Sequence, residues 1–223
     1  MMLFDEWKNS IINKSINIDG VSGYQCVDVV HSYLKQCYDI PVTARGNAKD
    51  YWTAWETDEK LKSEFTRIKN TPDLFFLQGD IIIWNNAPYG HIAIATGQGN
   101  TSYFYSIDQN YSAKKVKQEY HTFKNVVGCL RPKRIFITAG KTYRLKQITG
   151  VYNDNFKLKT VSQLTPDGKK NATKTKATDK AYLKSKTKVT AQGSKLIDGN
   201  VWLKIPSGWL LVWHKNKHEV RIE

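Results

Sequence analysis

Apolar positions at the start of the chain recur at helical intervals. Phe4, Trp7, Ile11 and Ile12 stand at i, i+3, i+7 and i+8, which predicts a short amphipathic helix within residues 4–14. Residues 17–23, Asn-Ile-Asp-Gly-Val-Ser-Gly, carry turn chemistry. A second helix is expected from Gln25, with Cys26, Val29, Val30, Tyr33 and Cys37 on one face and a stop at Ile40-Pro41. Residues 47–69 are more polar and predict helix in part, around Ala48, Tyr51, Trp52 and Trp55. After Pro72 the pattern changes to β-rich runs at 79–84 and 90–95, joined by a turn at 85–88, and then at 103–108 and 125–130. Helices followed by a strand meander predict an α+β domain.

Near Gly140 the composition shifts. Residues 141–223 read as all-β, with short runs at 143–148, 156–164 and 182–191, a Trp-rich end over 201–213, and a lysine-rich exposed loop at 169–180. Many short strands in so few residues predict a small barrel. The expected division is therefore 1–138 and 139–223. Charge sharpens it: residues 1–140 hold 16 Lys/Arg against 14 Asp/Glu, whereas 141–223 hold 18 against 6. A nearly neutral part joined to a strongly basic one suggests two jobs. The basic part should meet a polyanion: nucleic acid, a membrane surface or a teichoic-acid-rich wall.

With 40% hydrophobic residues, seven Trp and twelve Tyr, the chain can bury real cores, which excludes wholesale disorder. No run approaches the ~18 apolar residues of a membrane helix. The start, Met1 to Lys8, lacks the basic and apolar regions of a secretory signal, so synthesis in a cytoplasm without a standard export address is expected. Three cysteines are too few and too odd in number for a disulfide framework, and none has zinc spacing.

Cys26 stands apart from Cys37 and Cys129, which read as small buried hydrophobes. Thiol hydrolysis needs a thiolate, a base to make and hold it, and a group to orient that base. Helix N-termini favour the thiolate, and Cys26 lies one residue into a predicted helix. His91 opens the strand after a turn, and Asp108 and Asn110 end the next. Adjacent antiparallel strands can set such residues roughly 5 Å apart.

These segments together (Tyr24-Gln25-Cys26-Val27-Asp28, Gly79 to Trp84, Gly90 to Ile94, and Ile107 to Tyr111) resemble the successive motifs of CHAP domains. Those are the cysteine, histidine-dependent amidohydrolases/peptidases of phage endolysins and bacterial autolysins. The resemblance spans about residues 15–132 and implies a papain-like α+β catalytic domain. It makes Cys26 the nucleophile and His91 the general base. Asp108 stands where the family usually has Glu, and Asn110 matches its Asn, so either could orient His91. Gln25 matches an oxyanion-hole donor, with the Cys26 N–H as the second; its plainer role is a solvated helix cap.

Some family members bind Ca²⁺ in the loop before the nucleophile. Asn17, Asp19 and Asp28, with the carbonyls of Val21 and Gly23, match those ligand positions; the alternative is an Asx-turn with Asp28 at the helix start. The basic part is similar to bacterial SH3-like wall-binding domains at Tyr143, Tyr152, Trp202, Ile205, Gly208, Trp209, Leu211 and Val212, although core packing explains many of those aromatics equally well. The resemblance thus implies an endolysin hydrolysing amide bonds of Gram-positive peptidoglycan. Its partners would be peptidoglycan and wall teichoic acid, not nucleic acid or membrane. It would wait in the host cytoplasm for release through a holin pore. Two rival readings stay open: a nucleic-acid-binding protein using the basic barrel, and a papain-like or transglutaminase-like enzyme acting on proteins. Which wall bond is cut, and the oligomeric state, are open too.

Overall fold

The computed structural model describes residues 1–134, 137, 139–198, 200–214 and 219–223. The chain forms two units, Met1–Lys133 and Arg134–Glu223. The expected last residue of the first domain, Thr138, lies outside the described residues.

In the first unit, α1 (Phe4–Ile11) buries Phe4, Trp7 and Ile11, the stripe that its sequence spacing dictates. The Glu6 carboxylate accepts the Leu3 N–H at 2.9 Å and closes the first turn. The Trp7 indole donates to Ser32 Oγ (3.1 Å), which ties α1 to α2 (Cys26–Tyr38). The inner face of α2, with Val29, Val30, Tyr33, Leu34 and Cys37, is fully buried. Asp39 ends α2 in the left-handed region (φ 57°), two residues before Pro41. Two short helices follow, α3 (Tyr51–Ala54) and α4 (Glu59–Glu64).

Helix stops at Glu64, and Phe65–Lys69 is a strand, β1, not part of a helical 47–69 segment. Its partner is β6 (Val126–Pro132), some sixty residues away, and such a long-range ladder overrides local propensity. The other strands are β2 (Ile81–Trp84), β3 (His91–Gly99), β4 (Tyr103–Asp108) and β5 (Lys117–Thr122). All pair antiparallel, in the order β1-β6-β2-β3-β4-β5. β2 lies inside the sheet with all four residues buried. β5, absent from the predicted elements, is a polar edge strand whose one buried residue is His121. α2 lies against the sheet, and the Tyr33 hydroxyl donates to the Gly79 carbonyl (3.2 Å).

The second unit is β-rich. Strands β11 (Gly193–Ile197), β12 (Asn200–Ile205), β13 (Gly208–His214) and β14 (Glu219–Val220) form a four-stranded antiparallel meander. Two pairs accompany it: β7 (Thr142–Arg144) with β10 (Lys188–Thr190), and β8 (Thr149–Gly150) with β9 (Tyr182–Leu183). Leu145, Val151, Leu183, Leu203, Leu210 and Val212 fill its core. Among the described residues these sheets do not close into the expected barrel. Isolated bridges, Leu145 to Ile222 and Tyr152 to Trp209, join the pieces instead of continuous ladders. The expected strand at 156–164 holds only single bridges and a 3₁₀ turn at Val161–Gln163. A short helix, α5 (Pro166–Lys170), opens the lysine-rich stretch, capped by Thr165 Oγ1 on the Gly168 N–H.

One buried ion pair binds the first sheet. Asp80, fully buried at the entry to β2, accepts from the Arg131 guanidinium through both oxygens, at 3.0 and 2.7 Å, and from the Leu77 N–H at 2.9 Å. Truncating one partner leaves the other uncompensated. Asp80→Ala should cost about 3 kcal/mol, at the lower end for such pairs because Arg131 retains access to water; urea denaturation measures it.

Candidate active site

Cys26 is the first residue of α2 and half-buried, so its thiol stands at the positive end of the helix dipole. Two side chains fasten the loop that leads into it. Asp28, fully buried, accepts the Ile18 N–H (2.9 Å) and the Gln25 N–H (2.8 Å). Burial pushes its carboxyl up despite those bonds. Gln109, equally buried, accepts the Ile16 N–H (2.8 Å) and donates to the carbonyls of Ile16 (2.7 Å) and Gln25 (3.0 Å). The end of β4 is thereby clamped to the start of α2. Asn110, in the left-handed region (φ 61°), donates to Gln25 Oε1 (3.2 Å), and Gln25 Nε2 donates to the Ser22 carbonyl (2.6 Å).

His91 begins β3 in register with Trp84, and its ring lies 5.1 Å from the indole. Its Nε2 faces Asp108 Oδ1 at 3.4 Å, and neither atom has another hydrogen-bond partner. Asp108 is 1% exposed at the end of β4. Its Oδ2 receives the Ser106 hydroxyl (3.1 Å) and His121 Nε2 (2.5 Å). Burial alone would raise the Asp108 carboxyl, but His121 and His91 hold it below the usual range. Burial alone would lower His91; its interactions with Asp108 and Cys26 prevail and raise it to about 10. A thiol beside a protonated imidazole, itself held by a buried carboxylate, is the equipment of acyl transfer through sulfur.

The group facing His91 is therefore Asp108, while the Asn110 amide serves Gln25. Cys26, His91, Gln25 and Asn110 line one cleft of about 940 Å³, with Arg45, Tyr89 and Ala48 across it. Arg45 is fixed by Asp58 at 2.8 Å and lies over the Tyr51 ring.

Asp19 and Asp28 converge beside this cleft with a residue that sequence reasoning missed, His31; one ligand atom from each lies within 4.8 Å of the others. His31 is buried, with Nδ1 3.6 Å from Asp19 Oδ2 and Nε2 2.6 Å from the Tyr51 hydroxyl. Its spacing of three from Asp28 along α2 was the available signal. Asp19 Oδ1 also accepts the Val21 N–H (2.9 Å), the Asx-turn geometry. Asn17, Val21 and Gly23 are exposed on the same loop. Two carboxylates and one imidazole nitrogen fit a divalent cation. Gln109 and His121 were missed as well: Gln109 stands inside a motif between the two residues that drew notice, and His121 is a single polar residue in a segment with no motif around it.

Residues 17–110 match the family model of the CHAP domain. This segment is similar to CHAP domains in sequence. Two curated relatives are similar to part of the chain. Endolysin PlyTW of Staphylococcus phage Twort is 29% identical over 140 residues, covering 57% of this chain and 29% of that protein. Endolysin LysK of Staphylococcus phage K is 29% identical over 133 residues, covering 58% of this chain and 26% of that protein. The alignment thus spans less than a third of either relative. Among solved structures, the wild-type endolysin LysIME-EF1 is 28% identical with a TM-score of 0.49, covering 59% of this chain and 65% of that one.

In the first unit the raised His91 and lowered Asp108 set a window of stability. The His91 contribution is complete below 6.5 and is lost as pH rises through about 10; that of Asp108 is present above 3.8 and is lost at lower pH. NMR titration should find the His91 ring protonated to about pH 10. In Asp108→Asn it should lose its proton far lower, since the burial that opposes charge remains.

Proposed function

We propose that this chain is a cysteine-dependent peptidoglycan hydrolase of the endolysin type. The observation that carries the reading is His91 held between Cys26 and the buried Asp108 inside a segment similar to CHAP domains. The names of the two phage relatives support the substrate class.

The chemistry follows from the geometry. The Cys26 thiolate attacks the carbonyl carbon of a wall amide, and the C–S bond forms as charge gathers on oxygen. In this reading the Cys26 N–H at the start of α2 receives that charge, and the Gln25 amide, one of whose hydrogens goes to the Ser22 carbonyl, adds its other hydrogen. His91 gives its proton to the departing amine as the C–N bond breaks, leaving a thioester. Water then attacks with His91 as base, a carboxylate leaves, and the thiol is restored. Asp108 keeps the ring oriented throughout. The acyl donor belongs to the muramic-acid amide, a stem-peptide bond or a cross-bridge.

The second unit is assigned wall binding through an SH3-like module. Support comes from its charge and from an aromatic cluster. Tyr152 and Phe156 pack on Trp202 at 5.1 and 4.8 Å, while Lys195 and Lys204 lie over Trp209. Trp209 and Trp213 are buried, so their part is packing, whereas Trp202 is half-exposed. Peptidoglycan and wall teichoic acid are the proposed partners, with lysines adding avidity. No helix among the described residues is long and apolar enough to cross a membrane. Release from the host cytoplasm through a holin is part of the same proposal.

A bound Ca²⁺ would stiffen the loop that carries Gln25 and Cys26, held by Asp19 and Asp28 with loop carbonyls. Chelation tests this part. EDTA should lower the melting temperature by about 5 °C, Ca²⁺ should restore it, and Asp19→Ala should mimic the chelator. Melting that ignores Ca²⁺ would return the loop to a plain Asx-turn.

For the hydrolase itself, Cys26→Ser should fold normally and lose at least about three orders of magnitude of activity. Clearing of Gram-positive cell suspensions measures it, with mass spectrometry of the released fragments to identify the bond. Undiminished clearing by the variant would refute the thiol mechanism. A DNA gel shift without clearing by the wild-type chain would favour the nucleic-acid reading.

A further inference from the structure

We propose that His121 is a positioning residue of this site: it pins one oxygen of Asp108 so that the other faces His91. The inference rests on the hydrolase reading above and deepens it.

Asp108 is a short carboxylate, and its Oδ1 lies 3.4 Å from His91 Nε2. A short carboxylate free to rotate would present either oxygen, or a poor angle, to the ring. Here rotation is blocked. Oδ2 accepts two donors, Ser106 Oγ at 3.1 Å and His121 Nε2 at 2.5 Å, and only Oδ1 is left for His91.

His121 is itself immobilised. It is 5% exposed, stacked on Phe104 (5.6 Å, 23° between planes), and packed beside Trp84 (5.0 Å) and Tyr111 (4.4 Å). In that aromatic box the Asp108 carboxylate is its short polar contact, a charge-assisted hydrogen bond. The titratable groups around the pair are Cys26 from α2, His91 from β3 and Tyr111 from the turn after β4; Trp84 and Phe104 complete the wall. A core histidine kept for packing alone would not need to meet the carboxylate that orients the base.

The test compares His121→Phe, which keeps the stacked ring and loses the donor, with His121→Gln, whose amide nitrogen replaces Nε2. His121→Leu serves as the donor-free variant should Phe fail to fold. In the full chain, NMR titration of the His91 ring reports whether Asp108 still holds its proton, with or without hydrolysis. The donor-free variant should move that titration down by at least one pH unit. On a soluble muropeptide it should lower kcat about tenfold at unchanged KM. The Gln variant should restore both. An unmoved or upward His91 titration in the donor-free variant would overturn the proposal, the upward case making His121 a competitor for the carboxylate. Equal losses in the Gln and donor-free variants would also overturn it. Failure of wild-type hydrolysis with the NMR shifts intact would instead count against the hydrolase reading alone.

Discussion

A carboxylate almost wholly removed from water organises the cleft of the first unit. Asp108 is 1% exposed, and an ionised group so buried is stable only where donors replace its hydration. Two serve it, Ser106 on its own strand and His121 across from β5, while His91 on β3 faces its other oxygen at 3.4 Å. The same burial that makes the ion costly strengthens its hold on the His91 proton. A structural requirement, satisfying the ion, and a chemical one, holding His91 protonated beside Cys26, are met by the same contacts.

The fold supplies those contacts through register. His91 lies across from Trp84, and β3 and β4 run antiparallel, so His91 and Asp108 reach the same end of the sheet. The thiol arrives from a different element. α2 lies against the sheet, and its first turn must stay level with that end for Cys26 to meet His91. Gln109 and Asp28 perform this fastening by occupying backbone groups of residues 16, 18 and 25, and neither contacts substrate in the mechanism. Their burial explains why polar residues beside the reacting groups can act as scaffold.

The second unit follows another logic. Its four-stranded meander and two short strand pairs are linked by single bridges, and its core is apolar with Trp213 inside. The excess lysines are left outside, where long-range attraction to a polyanion acts over roughly a Debye length, about 10 Å at 0.1 M salt. In the wall-binding proposal such charge gives avidity, and the half-exposed Trp202 beside Tyr152 and Phe156 offers stacking.

Much of the site was legible in the sequence because its residues sit where local rules place them. Cys26 follows a turn and opens an amphipathic stretch; His91 and Asp108 bound strands with clear β patterning. Local periodicity likewise determined α1, α2 and the central strands, since each buries a face that its own spacing writes. β1 and β5 were not readable, because edge strands are polar and exist only through partners far away in sequence. The expected barrel likewise depended on how short strands pair, and pairing between distant segments has no local signature. Which of Asp108 and Asn110 faces His91, and what Gln109, His31 and His121 touch, depended on tertiary structure alone. Each depends on which buried donor lies within about 3 Å of which acceptor, and a sequence states the donors but not the distances.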